Sequence, residues 1–191
     1  MTLFLTRSKN FLAHNSFFLS FFKLSLIVWL LSASSSYAAI LNVPADHATI
    51  RDAVNAAVAG DTVLVAPGTY SANIEINSKD IILESSHGPN VTIIDGSIPI
   101  PFTDLRKPII RIDNTTSSTI VRGFTIQNGM SLDGASLGAG AISTLSSSPI
   151  IENNIIKDTQ DGNGIDVRFG SPTIRNNTFE DNASSSSNPY V

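Results

Sequence analysis

Two stretches near the end of the chain repeat each other and decide the fold. The first reads Ser148-Pro-Ile-Ile-Glu-Asn-Asn-Ile-Ile-Lys-Asp158, and the second, 23 positions later, reads Ser171-Pro-Thr-Ile-Arg-Asn-Asn-Thr-Phe-Glu-Asp181. Ser, Pro, Ile, both Asn residues and Asp recur in step. A unit this short, made of turn residues and single apolar residues, cannot bury a core alone and must stack on copies of itself. The repeat therefore predicts a solenoid.

A third copy lies at 118–128, and it precedes the first at an offset of 30. The alignment puts apolar residues into three columns: Ile112, Ile142 and Ile165; Val121, Ile151 and Ile174; and Ile126, Ile156 and Phe179. Such columns are what a parallel β-helix buries along its axis, with coils about 4.8 Å apart. The paired asparagines Asn153/Asn176 and Asn154/Asn177 are expected to stack at the corners between strands.

The residues before the repeats predict a short helix and then short strands. Thr49 suits an N-cap, Asp52 can reach back to it, and Gly60 suits the helix end. Five apolar residues fall on one face of this helix: Ile50, Ala53, Val54, Ala57 and Val58. Short β runs follow at 62–66, 73–77, 80–84 and 91–95, with a turn at Pro67–Tyr70. Because a solenoid end exposes its core and strand edges, we interpret the helix as a cap.

The chain divides into four segments. Residues 1–38 have the basic start, apolar centre and small-residue end of a signal peptide. The alternative is an uncleaved membrane anchor, which Lys23 disfavours by interrupting the apolar run. An entry strand and the capping helix follow at 39–60, coils at 61–182, and a polar tail at 183–191. We therefore expect a secreted, periplasmic or cell-surface protein with no membrane span in its mature chain.

Charge and composition exclude several classes of function. Removal of Arg7, Lys9 and Lys23 from the twelve basic residues leaves nine, against sixteen acids. This acidic domain repels phosphates, so we expect no nucleic-acid partner. The chain has no cysteine, which excludes disulfides and a cysteine-based nucleophile or metal site.

The stretch from Val43-Pro-Ala-Asp46 to Pro67-Gly-Thr-Tyr70 and Asn73-Ile74 resembles the opening of secreted proteins of the pectin-lyase-like superfamily. The Ser-Pro-x-Ile-x-x-Asn-x-Phe pattern resembles the coils of right-handed parallel β-helix repeat proteins of bacteria. The resemblance covers nearly all of 40–182. It implies an all-β fold, a right-handed parallel β-helix (solenoid) with a short N-terminal capping α-helix. The superfamily includes polysaccharide lyases and hydrolases, methylesterases, tailspikes and adhesins, so the fold alone does not give the function.

One column of polar residues is the candidate binding site. Asp113, Ser143 and Asp166 align at offsets of 30 and 23, beside the inward isoleucines, and are expected to face outward. Arg168 lies two residues past Asp166, on the same side of its strand. This spacing, about 9.6 Å between the two aspartates, suits a saccharide or a cation more than an acid–base pair. The simpler alternative is a solvated face with a weak Asp–Arg pair.

No cofactor is evident from the sequence, and calcium is expected only if the protein is lyase-like. The loop at 158–164 is rich in Asp, Asn and Gly, as calcium loops are, but it lacks EF-hand spacing. Asp, Asn and Gly are also the ordinary residues of turns. The loop is therefore interpreted as a turn.

Two functions remain open. The first is a non-catalytic exported module that acts as a scaffold or binds a polysaccharide or cell-surface glycan, since no complete catalytic motif is present. The second is the N-terminal part of a polysaccharide lyase or glycoside hydrolase whose catalytic coils lie beyond Val191. No cap follows the last coil, so a protein partner or further coils are expected to cover it. Whether the protein is an enzyme is left undecided by the sequence.

Overall fold

The computed structural model describes residues 37–71, 73–97, 108–129, 140–159 and 163–182. Contacts between residues divide the chain into Met1–Tyr37 and Ala38–Val191, and all helices and strands of the described residues lie in the second unit. The elements are β1 Ile40–Val43, α1 Ile50–Ala56, β2 Thr62–Val65, β3 Gly68–Ser71, β4 Ile74–Asn77, β5 Ile82–Ser85, β6 Thr92–Asp95, β7 Ile110–Asp113, β8 Ile120–Arg122, β9 Thr125–Gln127, β10 Gly140–Leu145, β11 Ile150–Glu152, β12 Ile155–Lys157, β13 Asn163–Arg168, β14 Thr173–Arg175 and β15 Thr178–Glu180.

The strands form three parallel sheets, which the chain visits in turn. Sheet A has the order β1-β2-β5-β8-β11-β14, sheet B the order β3-β6-β9-β12-β15, and sheet C the order β4-β7-β10-β13. From β2 to β13, the chain passes through sheets A, B and C in that order four times. It then adds β14 to sheet A and β15 to sheet B. The protein is therefore all-β with one short helix in its described part, as expected, and its topology is compatible with a parallel β-helix.

The core is built from apolar columns that run across successive strands of each sheet. Val121 pairs with Ile151, and Ile151 with Ile174, in sheet A. Ile126, Ile156 and Phe179 form the equivalent column in sheet B. The alignment of the repeats predicted both columns, and the register confirms them. Short strands suffice here because each inward side chain stacks on its counterpart in the next coil.

The third predicted column is correct at one step and wrong at the other. Ile142 pairs with Ile165 as expected, but its partner in β7 is Ile110 rather than Ile112. The corner after β7 spans Asn114–Thr119, whereas the corner after β10 spans only Ser146–Pro149. The offset of 30 holds in sheets A and B and becomes 32 in sheet C, because the longer corner adds two residues.

Helix α1 begins as predicted and ends earlier. The Thr49 side chain accepts a hydrogen bond from the Asp52 backbone N–H, the expected N-cap. The predicted end at Gly60 is wrong, since Ala57 is already extended and Val58 is exposed. The ammonium group of Lys79 donates to the carbonyls of Val54 and Ala57, which satisfies the end of the helix. No helix in the described residues is long and apolar enough to cross a membrane.

Ile50, Ala53 and Val54 on α1 are buried, and the helix contacts β1, β2 and β4. It therefore covers the start of the coil stack against strands of sheets A and C. The predicted turn at Pro67–Tyr70 is wrong from Gly68 onward, because Gly68–Ser71 is strand β3 and pairs with β6. Residues 1–36 of the predicted signal peptide and the tail at 183–191 lie outside the described residues.

Asparagine side chains join successive coils at one corner. Asn154 is buried and accepts a hydrogen bond from the Phe124 N–H, and its amide group donates to the Val121 carbonyl and to Asn177 Oδ1. The predicted stacking of Asn154 on Asn177 is confirmed. Asn153 and Asn176 instead turn the backbone, with φ of 57° and 55°.

The last described coil is open. Ile174 is 41% exposed and Phe179 is 51% exposed, although their counterparts Ile151 and Ile156 are fully buried. Strands β13, β14 and β15 are edge strands of their sheets. Among the described residues, this coil therefore presents inward apolar side chains beside the edges of β14 and β15, where no further strand pairs.

Candidate functional site

The sequence predicted Asp113, Ser143 and Asp166 in one column, and the register corrects this. Ser143 pairs with Asp166, but its partner in β7 is Arg111. Asp113 instead pairs with Leu145, which pairs with Arg168. The two-residue shift arises from the longer corner after β7. Because side chains alternate along a strand, a shift of two keeps Asp113 on the outer side, opposite the buried Ile110 and Ile112.

Two ion pairs lie on this outer side of sheet C. Arg111 Nη2 is 2.6 Å from Asp113 Oδ2, and Arg168 Nε is 2.7 Å from Asp166 Oδ2. Each pair joins residues two apart on one strand, and the order of charges is opposite in the two strands. The hydrogen bond to Asp113 raises the pKa of Arg111, and the nearby Glu75 adds to this. Both arginines thus already have a carboxylate partner.

Asp113 lies on the outer side of sheet C but is shielded from solvent. Its side chain is 6% exposed, whereas those of Asp166 and Arg168 are 16% and 34% exposed. Asp113 Oδ1 is buried without a hydrogen-bond partner in the described part of the protein. Asp166 and Arg168 are therefore the more accessible half of this group, which we call the sheet C site (Arg111, Asp113, Asp166 and Arg168).

The separation of the two aspartates argues against general acid–base catalysis by this pair. They lie two strands apart and two positions out of register, which places their Cα atoms about 12 Å apart. Glycoside hydrolases hold their two carboxyl groups roughly 5–9.5 Å apart. The sheet C site can instead offer guanidinium and carboxylate groups for hydrogen bonds to a ligand.

The structure gives no support for a bound metal ion. No group of three or more His, Asp or Glu side chains in the described ranges could hold one. Asp158 contacts Lys157 at 3.4 Å, which is an ordinary surface ion pair. Residues 160–162 of the predicted turn lie outside the described residues.

Sheet A carries a charged column that the sequence reasoning missed. Glu84, Arg122, Glu152 and Arg175 stand in register on four successive strands. Arg122 contacts Glu84 at 2.5 Å and Glu152 at 3.6 Å. Arg175 contacts Glu152 at 2.7 Å. We call this column the charge ladder, because its signs alternate from coil to coil. The repeat alignment already placed Arg122, Glu152 and Arg175 together, so a comparison of their signs would have found most of it.

Sheet B has a second polar column on its outer side. Asp95, Gln127, Lys157 and Glu180 pair in sequence across four strands. Gln127 donates to Asp95 at 2.8 Å, and Asn128 donates to the same carboxylate at 3.0 Å. Although desolvation opposes ionisation, these bonds and those from Ser97 lower the pKa of Asp95 to about 2. The column therefore links coils by hydrogen bonds near its start and places opposite charges side by side at its end.

Comparison with known proteins gives no further guide to the site. No protein-family model matches the chain, and neither a curated protein nor a solved structure is significantly similar to it.

Proposed function

We propose that the protein is an exported, non-catalytic module with a right-handed parallel β-helix fold that acts as a surface or periplasmic scaffold and contacts glycans through the sheet C site. The cyclic order of strands in the three parallel sheets supports the β-helix. Parallel strands joined by crossovers in one sheet are right-handed in nearly all known cases, which supports the hand.

The pairing of charges on the outer faces carries the non-catalytic part of the proposal. Arg111 and Arg168 each hold a carboxylate at 2.6–2.7 Å, and Arg122 and Arg175 are held in the charge ladder. A group that abstracts or delivers a proton needs a tuned pKa and access to the substrate. Ion-paired aspartates whose Cα atoms are about 12 Å apart suit hydrogen bonding to hydroxyl groups better than they suit bond cleavage.

Arg168 is the residue through which glycan binding is best tested. The side chain is one-third exposed, and its planar group can donate to sugar oxygens while it keeps its bond to Asp166. Affinity electrophoresis in gels that contain pectin, alginate or chondroitin measures binding as retardation. We expect the wild type to be retarded by at least one of these polymers and the Arg168→Ala variant to migrate as it does without polymer.

The matched control is Arg122→Ala, because this arginine is also ion-paired but lies on sheet A. It should be retarded as strongly as the wild type. Equal retardation of all three proteins, or no retardation of any, would overturn the assignment of binding to sheet C.

The alternative function, part of a polysaccharide lyase or hydrolase, has a direct assay. The same polymers are incubated with the protein, with and without calcium, and unsaturated uronate absorbance and reducing ends are measured. We expect no product above the protein-free control. Product that is lost in an Asp166→Asn variant would replace the scaffold proposal with an enzymatic one.

The proposal of export rests on the character of residues 1–38 and has its own test. The N-terminal sequence of the protein recovered from outside the producing cytoplasm should begin at Ala39. Recovery of a membrane-bound chain with Met1 intact would favour the anchor instead.

A further inference from the structure

The open coil, which has no part in the function proposed above, carries one positive and one negative side chain at its free edge. Arg175 in β14 and Glu180 in β15 are the last members of the charged columns on sheets A and B. They are five positions apart, and both are exposed. A segment that continued the two sheets would place one outer residue beside each of them.

The coil beneath them indicates what such a segment carries. Glu152 pairs with Arg175, and Lys157 pairs with Glu180, again five positions apart. The acid Glu152 therefore lies beside the positive charge of Arg175, and the base Lys157 lies beside the negative charge of Glu180. A segment added beyond β14 and β15 would meet the same two charges. It would therefore need the same order, an acid beside Arg175 and, five positions later, a base beside Glu180.

Arg175 has the free group that this requires. Within the ladder, Arg122 contacts a glutamate on each side, Glu84 through Nη2 and Glu152 through Nη1. Arg175 contacts Glu152 through Nε and Nη2, and no bond of its Nη1 occurs among the described residues. Its side chain is 57% exposed. A second carboxylate can therefore bind it without displacing the first.

The backbone and the apolar side chains of the open coil fit the same kind of occupant. Asn154 Oδ1 accepts the N–H of Phe124, and Asn177 Oδ1 accepts the N–H of Asn154. The N–H of Asn177 lacks the equivalent acceptor in the part of the chain that the structure describes. Ile174 and Phe179 expose the apolar surface that Ile151 and Ile156 bury. An occupant with an asparagine at the corner and apolar residues on either side would satisfy all of these groups.

We propose that the open coil binds an extended polypeptide segment of a partner protein that adds in parallel to β14 and β15 and carries an acid and, five positions later, a base. Added strands gain affinity from main-chain hydrogen bonds and specificity from side-chain positions. Here Arg175 and Glu180 set the register. Residues 183–191 do not meet the requirement, because they contain no charged side chain.

The probe is a synthetic peptide with the sequence of 148–158, which has the acid at Glu152 and the base at Lys157. Amide NMR shifts of the protein are followed as the peptide is added to millimolar concentration. We expect shifts centred on β14 and β15. A second peptide that carries Glu152→Lys and Lys157→Glu should bind at least ten times more weakly, because it puts like charges beside Arg175 and Glu180.

Two protein variants complete the test. The Arg175→Gln/Glu180→Gln variant should bind the two peptides equally, since it has no charge to discriminate them. The Arg122→Gln variant, changed at a sheet A position deeper in the stack, should still prefer the first peptide tenfold. If the first variant fails to fold, the comparison of the two peptides on the wild type decides alone.

Three results would overturn the proposal. The first is no shift at millimolar peptide, and the second is equal binding of both peptides to the wild type. The third is a dimer in sedimentation that the peptide does not dissociate, because the open coil would then be covered by a second copy. None of these results bears on glycan binding at Arg168, which lies on sheet C.

Discussion

The two ends of the coil stack differ in whether their apolar columns are covered. At the first coil, α1 and β1 cover the apolar columns. The Asp61 carboxylate accepts the N–H groups of Ala39 and Val58, and Lys79 donates to the Ala57 carbonyl, so these backbone groups of the cap have side-chain partners. At the last coil, Ile174 and Phe179 are exposed on edge strands. The same repeat therefore gives a closed surface at one end and a surface suited to association at the other. The difference lies in what covers the repeat.

The largest expected effect comes from truncation of one apolar column at two heights. Ile156→Ala removes a fully buried side chain and should lower the free energy of unfolding by about 2–5 kcal/mol. Phe179→Ala, one coil later, should cost less than about 1 kcal/mol, because this ring is half exposed. Urea denaturation of the two variants measures both values. Equal losses would mean that the last coil is packed as tightly as the one beneath it.

The asparagine ladder should show the same gradient on a smaller scale. Asn154→Ala leaves the Phe124 N–H and the Val121 carbonyl without their side-chain partner in a buried corner, at a cost of about 1–3 kcal/mol. Asn177→Ala exposes its former partners to water and should cost less. Hydrogen exchange provides the measurement, since only the first variant should lose protection at the Phe124 amide. Loss of protection there in the Asn177 variant would show that the corners act as one unit.

Acid should weaken the first coils of the stack before the open coil. The pKa of Asp61 is lowered by hydrogen bonds from Ala39 and Val58, and the pKa of Asp95 is lowered to about 2. A lowered pKa in the folded state gives stability above the unfolded value of 3.8, which is lost as the pH falls towards 2. For Asp95 we expect a loss of roughly 1–2 kcal/mol, after allowance for solvent screening.

Unfolding measured between pH 5 and pH 2 tests this expectation. The Asp95→Asn variant should be less stable than the wild type at pH 5, and the two should converge near pH 2. A constant difference across this range would contradict the assignment. As the pH falls, the hydrogen-exchange rate of the amides of β2 and β6 should increase before that of the amides of β14. Acid would then destabilise the covered coils before the open one.

The sequence predicted the parts of the fold that lie inside the repeated stretch itself. The columns through Val121 and Ile126 were correct because the corner that leads from sheet A to sheet B has two residues in each of these coils. The column through Ile112 was wrong because two additional residues lie in the Asn114–Thr119 corner. An alignment of repeats assigns such residues to the wrong strand partner, since it has no information on corner length.

The candidate site was only partly predictable for the same reason. Asp166 and Arg168 were identified correctly as neighbours, because their pairing depends only on the alternation of one strand. Asp113 was placed in one column with Asp166, two strands away, whereas it is aligned with Arg168 through Leu145. The burial of Asp113 could not be predicted either. The alternation of residues along a strand shows on which side of the sheet a side chain lies, but it does not show what covers that side.

The charge ladder also limits how this protein could have grown by gene duplication. Glu84, Arg122, Glu152 and Arg175 alternate in sign, so a duplicated single coil would place like charges on adjacent strands. A duplicated pair of coils would preserve every contact in the column. The structural repeat is therefore one coil, whereas the unit that can be copied without electrostatic conflict on sheet A is two.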